Sequence, residues 1–192
     1  MKKFTVWMLS LLFLPLMAQA NGYTTLWKQV EQWQAKGQPR SAINTLQKIV
    51  TKAKAEKSYG NLLKAQLSLM AAWDEISPDS LASQLQSFKV SAQRAAQTDK
   101  ALAAVYNCLL YKGYYEAHRW NKDSMAVANR YKLLAMTNPA VLAGTKATDY
   151  VPLLVEGVDS KYFNNDLLHV IGMEVGDYAT LHRWYDAHDN RS

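Results

Sequence analysis

The sequence predicts an all-α domain of stacked antiparallel helical hairpins, and three observations predict it. Apolar residues recur at 3.6-residue spacing through every long segment after residue 21. Turn signals between helices fall near residues 38, 77 and 122, so one hairpin recurs about every 40 residues, within the period range of helical repeats. No stretch alternates apolar and polar residues as a half-buried strand does.

The elements follow in order. Met1 to Ala20 has the pattern of an export signal: Lys2 and Lys3, an apolar stretch from Phe4 to Met17, and Ala18-Gln19-Ala20 as a small-x-small cleavage site. The alternative is an N-terminal anchor helix, but Pro15 interrupts an apolar run already short of the roughly 20 residues a span needs. Position 21 is Asn, so cleavage after Ala20 leaves no cysteine for lipid attachment. The mature chain is expected to start near Asn21, exported to the periplasm or beyond, with no stable membrane anchor.

Residues 21–138 are predicted to be the hairpin domain. Leu26, Val30 and Trp33 mark a first helix, which Gly37 ends and Pro39 follows with the next. Ala42, Ile43, Leu46, Ile49, Val50 and Ala53 form the stripe of the second helix. The pattern restarts near Tyr59-Gly60 with Leu62, Leu63, Leu69, Met70 and Trp73. Ser77-Pro78 signals a fourth helix, Ser as cap and Pro at its first position, with Leu81, Leu85, Phe88, Ala92 and Ala95 on one face. Thr98-Asp99 caps the stretch from Lys100 to Trp120, whose apolar residues surround the helix and predict a central core element with Gly113 at a close approach. Asn121 to Ser124 turns the chain into a helix carrying Met125, Val127, Tyr131 and Leu134. The first hairpin, with Trp27, Gly37 and Ala42, resembles the tetratricopeptide pattern and implies a right-handed solenoid. Residues 139–192 are expected to be a segment of short helices packed on the same domain, broken by Pro152, Gly144, Gly157, Gly172 and Gly176. Asn164 and Asp177 are its expected caps.

Charge and chemistry narrow the function. Removing Lys2 and Lys3 leaves 20 basic against 16 acidic residues, unevenly spread. Residues 23–72 hold eight Lys or Arg against Glu31 and Glu56, while residues 150–192 hold three against seven. A basic third can face nucleic acid or an anionic surface, but Lys48, Lys52 and Lys64 suit solvated helix faces, and no nucleic-acid partner is assigned. Cys108, the sole cysteine, excludes an intramolecular disulfide; as nucleophile or intermolecular bridge it competes with the favoured reading of a small buried hydrophobe. His169, His182 and His188 accompany Glu174, Asp177, Asp186 and Asp189, and His182 with Asp186 has the i, i+4 spacing of a metal pair. That pair lacks any wider motif and is expected by chance in a charged helix. Asp177 and Glu174 as paired carboxylates yield to Asp177 as a cap. No glycine-framed nucleophile or phosphate loop is present. No catalytic residue, cofactor or metal is assigned, and the chain is read as not an enzyme. Tyr106, Tyr111, Tyr114, Tyr115 and Trp120 can line a peptide or sugar groove, but aromatics at helical spacing are read as core.

Three stretches together resemble the N-terminal helical region of large bacterial alpha-2-macroglobulin-like proteins: residues 26–67, the SPDSL turn at 77–81, and residues 151–191 with DSKYFNNDLLHVIG. The resemblance implies an exported multi-domain setting in which β-sandwich domains follow the helical region and some members inhibit proteases. The thioester of such members needs a glutamine three residues after its cysteine, and Cys108 is followed by Leu109, Leu110 and Tyr111. The expected function is therefore a non-enzymatic interaction or spacer module, its partner another protein or the downstream domains of the same polypeptide. The alternative is a free-standing periplasmic helical-repeat protein that binds a peptide in an aromatic groove. The closing residues Trp184 to Ser192 finish one helix and supply Asp, Asn and Ser, which start another. A chain stopping mid-architecture, with part of the Leu181, Trp184 and Tyr185 face exposed, is expected.

Overall fold

The computed structural model describes residues 22–118, 120–155, 157 and 164–189, and among these it is helical with no strand. The expected export signal, with Ala18 and Ala20, lies outside the described residues. Among the described residues, no helix is long and apolar enough to cross a membrane.

The helices are α1 (22–35), α2 (Pro39–Glu56), α3 (Tyr59–Ile76), α4 (Leu81–Thr98), α5 (Lys100–Ala117), α6 (Asp123–Ala135), α7 (Pro139–Ala143), α8 (Leu167–Val175) and α9 (Tyr178–Asp189). Their ends obey local chemistry. Gly37 takes φ +62° and closes α1, and Pro39 opens α2 at the position where its missing N–H costs nothing. Asp99 caps α5 by accepting from Leu102 N at 3.0 Å, and Asp177 caps α9 through Thr180 N at 3.2 Å. Two caps differ from expectation. Asp166, not Asn164, caps α8, accepting from His169 N at 2.8 Å. Ser77 makes no side-chain cap; Pro78–Ser80 is a 3-10 turn in which Ser80 Oγ donates to Ser77 O at 2.7 Å.

Two apolar clusters form the interior. The first joins Tyr23 and Val30 of α1 to Ile43, Leu46, Ile49 and Ala53 of α2 and Leu62, Ala65 and Ala72 of α3. The second collects Leu63 of α3, Phe88 and Ala92 of α4, residues 101–106 with Cys108 and Leu110 of α5, and Leu142, Tyr150, Leu167, Leu168, Ile171, Val175 and Leu181. Helix α3 is thus apolar on two sides and separates the clusters. Sequence neighbours α2 and α3, α4 and α5, and α5 and α6 pack together, and α8 lies on α5.

The central helix is only half as expected. Residues 101–108 and Leu110 are buried, but beyond them Lys112, Gly113, Tyr115 and Glu116 are exposed. Gly113 marks no close approach: a Cβ there meets nothing within 4 Å. The close approaches are at Gly60, where a Cβ would lie 2.3 Å from the carbonyl oxygens of Tyr150 and Val151, and at Gly172, against Leu181. Helix α6 also turns differently. Ser124, Ala128 and Ala135 face inward, small residues that let it sit close on α5, while Val127 and Leu134 face out. Leu81 at the start of α4 is 39% exposed rather than core. In α9, Leu181 is buried, while Trp184 and Tyr185 pack half-buried on the second cluster, so the face expected to be partly exposed is covered at Leu181 and partly open at the two rings; Tyr178 is exposed.

After α7 the chain forms a 3-10 turn, Ala147–Tyr150, whose Tyr150 ring is buried beside Tyr59 at 6.1 Å. An antiparallel bridge between Lys146 and Asp166, with Leu167 N bonded to Thr145 O at 2.9 Å, fastens this turn to the start of α8.

Candidate functional site

The α3 start, the α1 start and the turn after Tyr150 enclose an open groove of about 570 Å³. Its lining includes Tyr23, Trp27, Lys28 and Glu31 from α1, Asn61 and Lys64 from α3, and Val151 and Pro152 from the turn. Tyr23 and Trp27 share a helix face because they lie four residues apart, and so do Asn61 and Lys64, three apart. Gly60 brings the third wall in: with no Cβ, α3 can touch the backbone carbonyls of Tyr150 and Val151.

The aromatic rings are fixed by polar partners. Trp27 Nε1 donates to Asn61 Oδ1 at 2.7 Å, and Asn61 Nδ2 donates to Ser58 Oγ at 3.0 Å. Asn61 is buried, so these bonds answer its desolvation. The Tyr23 hydroxyl donates to Glu56 Oε2 at 2.6 Å, and Lys52 Nζ donates to Glu56 Oε1 at 2.6 Å. Burial, reinforced by the Glu56 carboxylate, raises the Tyr23 hydroxyl above its ordinary pKa. The bond from Lys52, and then that from Tyr23, holds the Glu56 carboxyl below its usual range. Three ammonium groups face aromatics of α1: Lys52 over Tyr23 at 5.0 Å, Lys64 over Trp27 at 4.6 Å and Lys36 over Trp33 at 5.1 Å. The groove is an aromatic and cationic surface. Neither His nor Cys is among its described lining residues.

The titratable residues near the C-terminal end do not converge. Asp177 is a helix cap, and Glu174 pairs with Lys112 rather than with Asp177. His169 lies beside Tyr185, with ring centroids 6.2 Å apart, whereas His188 stacks on Trp184 at 3.9 Å and donates from Nδ1 to Trp184 O at 2.7 Å. His182 and Asp186 are on the exposed side of α9; the Asp189 side chain lies outside the described residues. Among the described residues, no three His, Cys, Asp or Glu side chains gather as a metal site would require. Cys108 is buried, and desolvation, helped by Glu174, pushes its thiol up to about 12.

The aromatics of α5 divide. Tyr106 is core: it meets Phe88 edge-on at 4.8 Å and donates to Gln66 Oε1 at 2.7 Å. Tyr111 and Tyr114 are half-buried, Tyr114 stacking on Tyr131 at 5.7 Å. Tyr115 is 41% and Trp120 92% exposed, which corrects the core reading for both. The sequence marked Trp27 as a hairpin letter, Lys64 as part of a solvated helix face and Pro152 as a helix breaker, and it assigned none of the groove residues to a site. The available signals were the Tyr23–Trp27 spacing and a glycine at the start of a leucine-rich helix.

Compared with protein-family models, with curated proteins and with solved structures, the chain matches none.

Proposed function

We propose that this chain is a non-enzymatic helical-repeat interaction module of an exported protein, and that it holds a protein segment in the groove between α1, α3 and the Val151–Pro152 turn. The observation that carries the reading is Trp27. Its indole is partly buried at the groove and fixed by Asn61, so it presents a preorganised apolar edge, the kind of anchor that dominates protein interfaces. Helices α2, α3, α4 and α5 are each 18 residues long and pack in chain order, which supports a tetratricopeptide-like right-handed solenoid. The groove draws on two of the stretches that resemble alpha-2-macroglobulin-like proteins: Trp27, Lys28, Glu31, Asn61 and Lys64 in one, Val151 and Pro152 in the other. That favours an exported multi-domain setting with a protease-inhibitor context, in which the segment comes from the downstream domains of the same polypeptide. A free-standing periplasmic repeat protein would use the same groove for a peptide.

The test places a photo-crosslinking amino acid at Val151, which is 52% exposed at the groove, in cells that export the chain. One discrete adduct is expected, absent when the probe stands at exposed Arg94 on α4 and lost with Trp27→Ala. Identical adducts from both sites, or none from Val151, would overturn the reading.

A further inference from the structure

We propose that the segment accepted by this groove is acidic: an extended peptide that sets a carboxylate side chain between Lys28 and Lys64 and an apolar one on Val151 and Pro152. The inference rests on the groove being a peptide site. It starts from the charges left over once the ion pairs among the described residues are counted. Between residues 22 and 72 the carboxylates are Glu31 and Glu56, against eight Lys or Arg. Glu56 is consumed by Tyr23 and Lys52. Of the lining residues, Glu31 therefore stands against Lys28 and Lys64, and among the described residues neither lysine pairs with a carboxylate.

Lys64 is held in place without being neutralised. A ring face attracts an ammonium through its quadrupole but takes no formal charge from it, and the group's remaining N–H donors stay free. Holding that lysine over Trp27 spends in advance the rotamer entropy that a mobile lysine loses on binding an anion. The Trp27 N–H is committed to Asn61, so the indole has no donor left for the ligand and contributes apolar contact alone. A half-exposed valine next to proline offers no side-chain hydrogen bond either. What remains is one cationic pole beside an apolar shelf. A basic peptide would meet two unpaired ammonium groups and gain only Glu31. Glu31 lies three residues beyond Lys28 on the same face of α1, so it favours an orientation that keeps the ligand's carboxylate at the Lys64 end.

The experiment measures fluorescence anisotropy of the purified chain with three labelled octapeptides of one design. They read Gly-Xaa-Leu-Xaa-Val-Xaa-Leu-Gly, with Xaa as glutamate, glutamine or lysine, and a decathymidylate serves as the nucleic-acid probe. The glutamate peptide is expected to bind at least about five-fold tighter than the glutamine peptide, the scale of one or two partly exposed charge pairs, and to lose that margin at high salt. Lys64→Glu should abolish the preference, while Arg94→Glu on α4 should leave it. Equal binding of the glutamine or lysine peptide, still sensitive to Trp27→Ala, overturns the acidic preference and leaves the groove as a peptide site. No binding by any of the three overturns both. Decathymidylate binding tighter than the glutamate peptide, and lost in Lys64→Glu, overturns the peptide in favour of nucleic acid.

Discussion

Replacing Gly60 with alanine should destabilise the fold even though alanine is the better helix former. The added Cβ would lie 2.3 Å from the carbonyl oxygens of both Tyr150 and Val151 and 2.4 Å from the Tyr150 carbonyl carbon, so a separation of about 1 Å more is needed for contact. Neither side yields easily. Tyr150 O already accepts from Leu153 N at 2.9 Å and Leu154 N at 3.0 Å, and the Tyr150 ring is buried. On the other side, α3 is held by both apolar clusters. Overpacking of this kind costs roughly 1–3 kcal/mol, and each strained hydrogen bond about 0.5–1.5 kcal/mol. Alanine returns at most about 1 kcal/mol of helix propensity. The net expectation is a loss of about 2–4 kcal/mol, or roughly 5–15 °C in Tm at this size. Gly113→Ala is the internal control. It places a methyl in open space on an exposed helical position and should stabilise by about 0.5–1 kcal/mol. Urea and thermal unfolding followed by circular dichroism measure both. If Gly60→Ala is as stable as Gly113→Ala, α3 and the Tyr150–Val151 backbone are not in contact in solution, and the groove loses its third wall.

Three further outcomes follow from the same structure. Leu110→Ala should cost about 2–5 kcal/mol and the half-buried Leu109→Ala less; the reverse order in urea unfolding would rotate α5 about its axis. Cys108 should resist a thiol reagent at pH 8 until the chain unfolds, because burial pushes its thiol up to about 12 and removes access; rapid labelling of native protein would contradict this. The Glu56 carboxyl is depressed on folding from its ordinary value of 4.5, so its stabilisation is present above that value and lost as pH falls through the folded one. The stability gap between wild type and Glu56→Gln should therefore close on acidification, and a gap constant from pH 7 to 3 would remove the Lys52–Glu56–Tyr23 cluster from the account.

Helix existence was legible because it is written in local spacing. The stripe of α2, the Pro39 start, the Asp99 cap of α5 and the Asp177 cap of α9 each depend on residues a turn apart. Orientation was less legible. Val127 and Leu134 have core chemistry, but Ala128 and Ala135 permit the closer approach to α5, and packing distance prevails over side-chain hydrophobicity. The two glycines show the same limit. Gly60 and Gly113 both interrupt leucine-rich helices, and only the fold reveals that one has a backbone opposite it and the other has water. The groove was hidden for a related reason, since Trp27 and Asn61 are 34 residues apart and Val151 comes from a distant turn. Repeat letters singled out Trp27 as part of a hairpin pattern; its partner Asn61 carries no pattern at all.

The position of the groove gives it leverage over the whole fold. Its α1 wall belongs to the first apolar cluster, its Val151–Pro152 wall follows Tyr150 of the second, and α3 is the helix the two clusters share. On the proposed reading, a segment seated there touches α1 of the first cluster and the turn that follows Tyr150 of the second, and it loses contacts when either cluster opens. Such a ligand stabilises the native state by mass action, about 2.7 kcal/mol at a hundred times its Kd, and it does so for both clusters together. Trp27, packed against the first cluster, its partner Asn61 on α3, and Gly60 at the joint with the Tyr150 turn thereby act on one equilibrium. This is the property a rigid interaction module needs, because a partner that grips only one hairpin leaves the other free to fray. On that reading, binding and folding share the same residues at this groove.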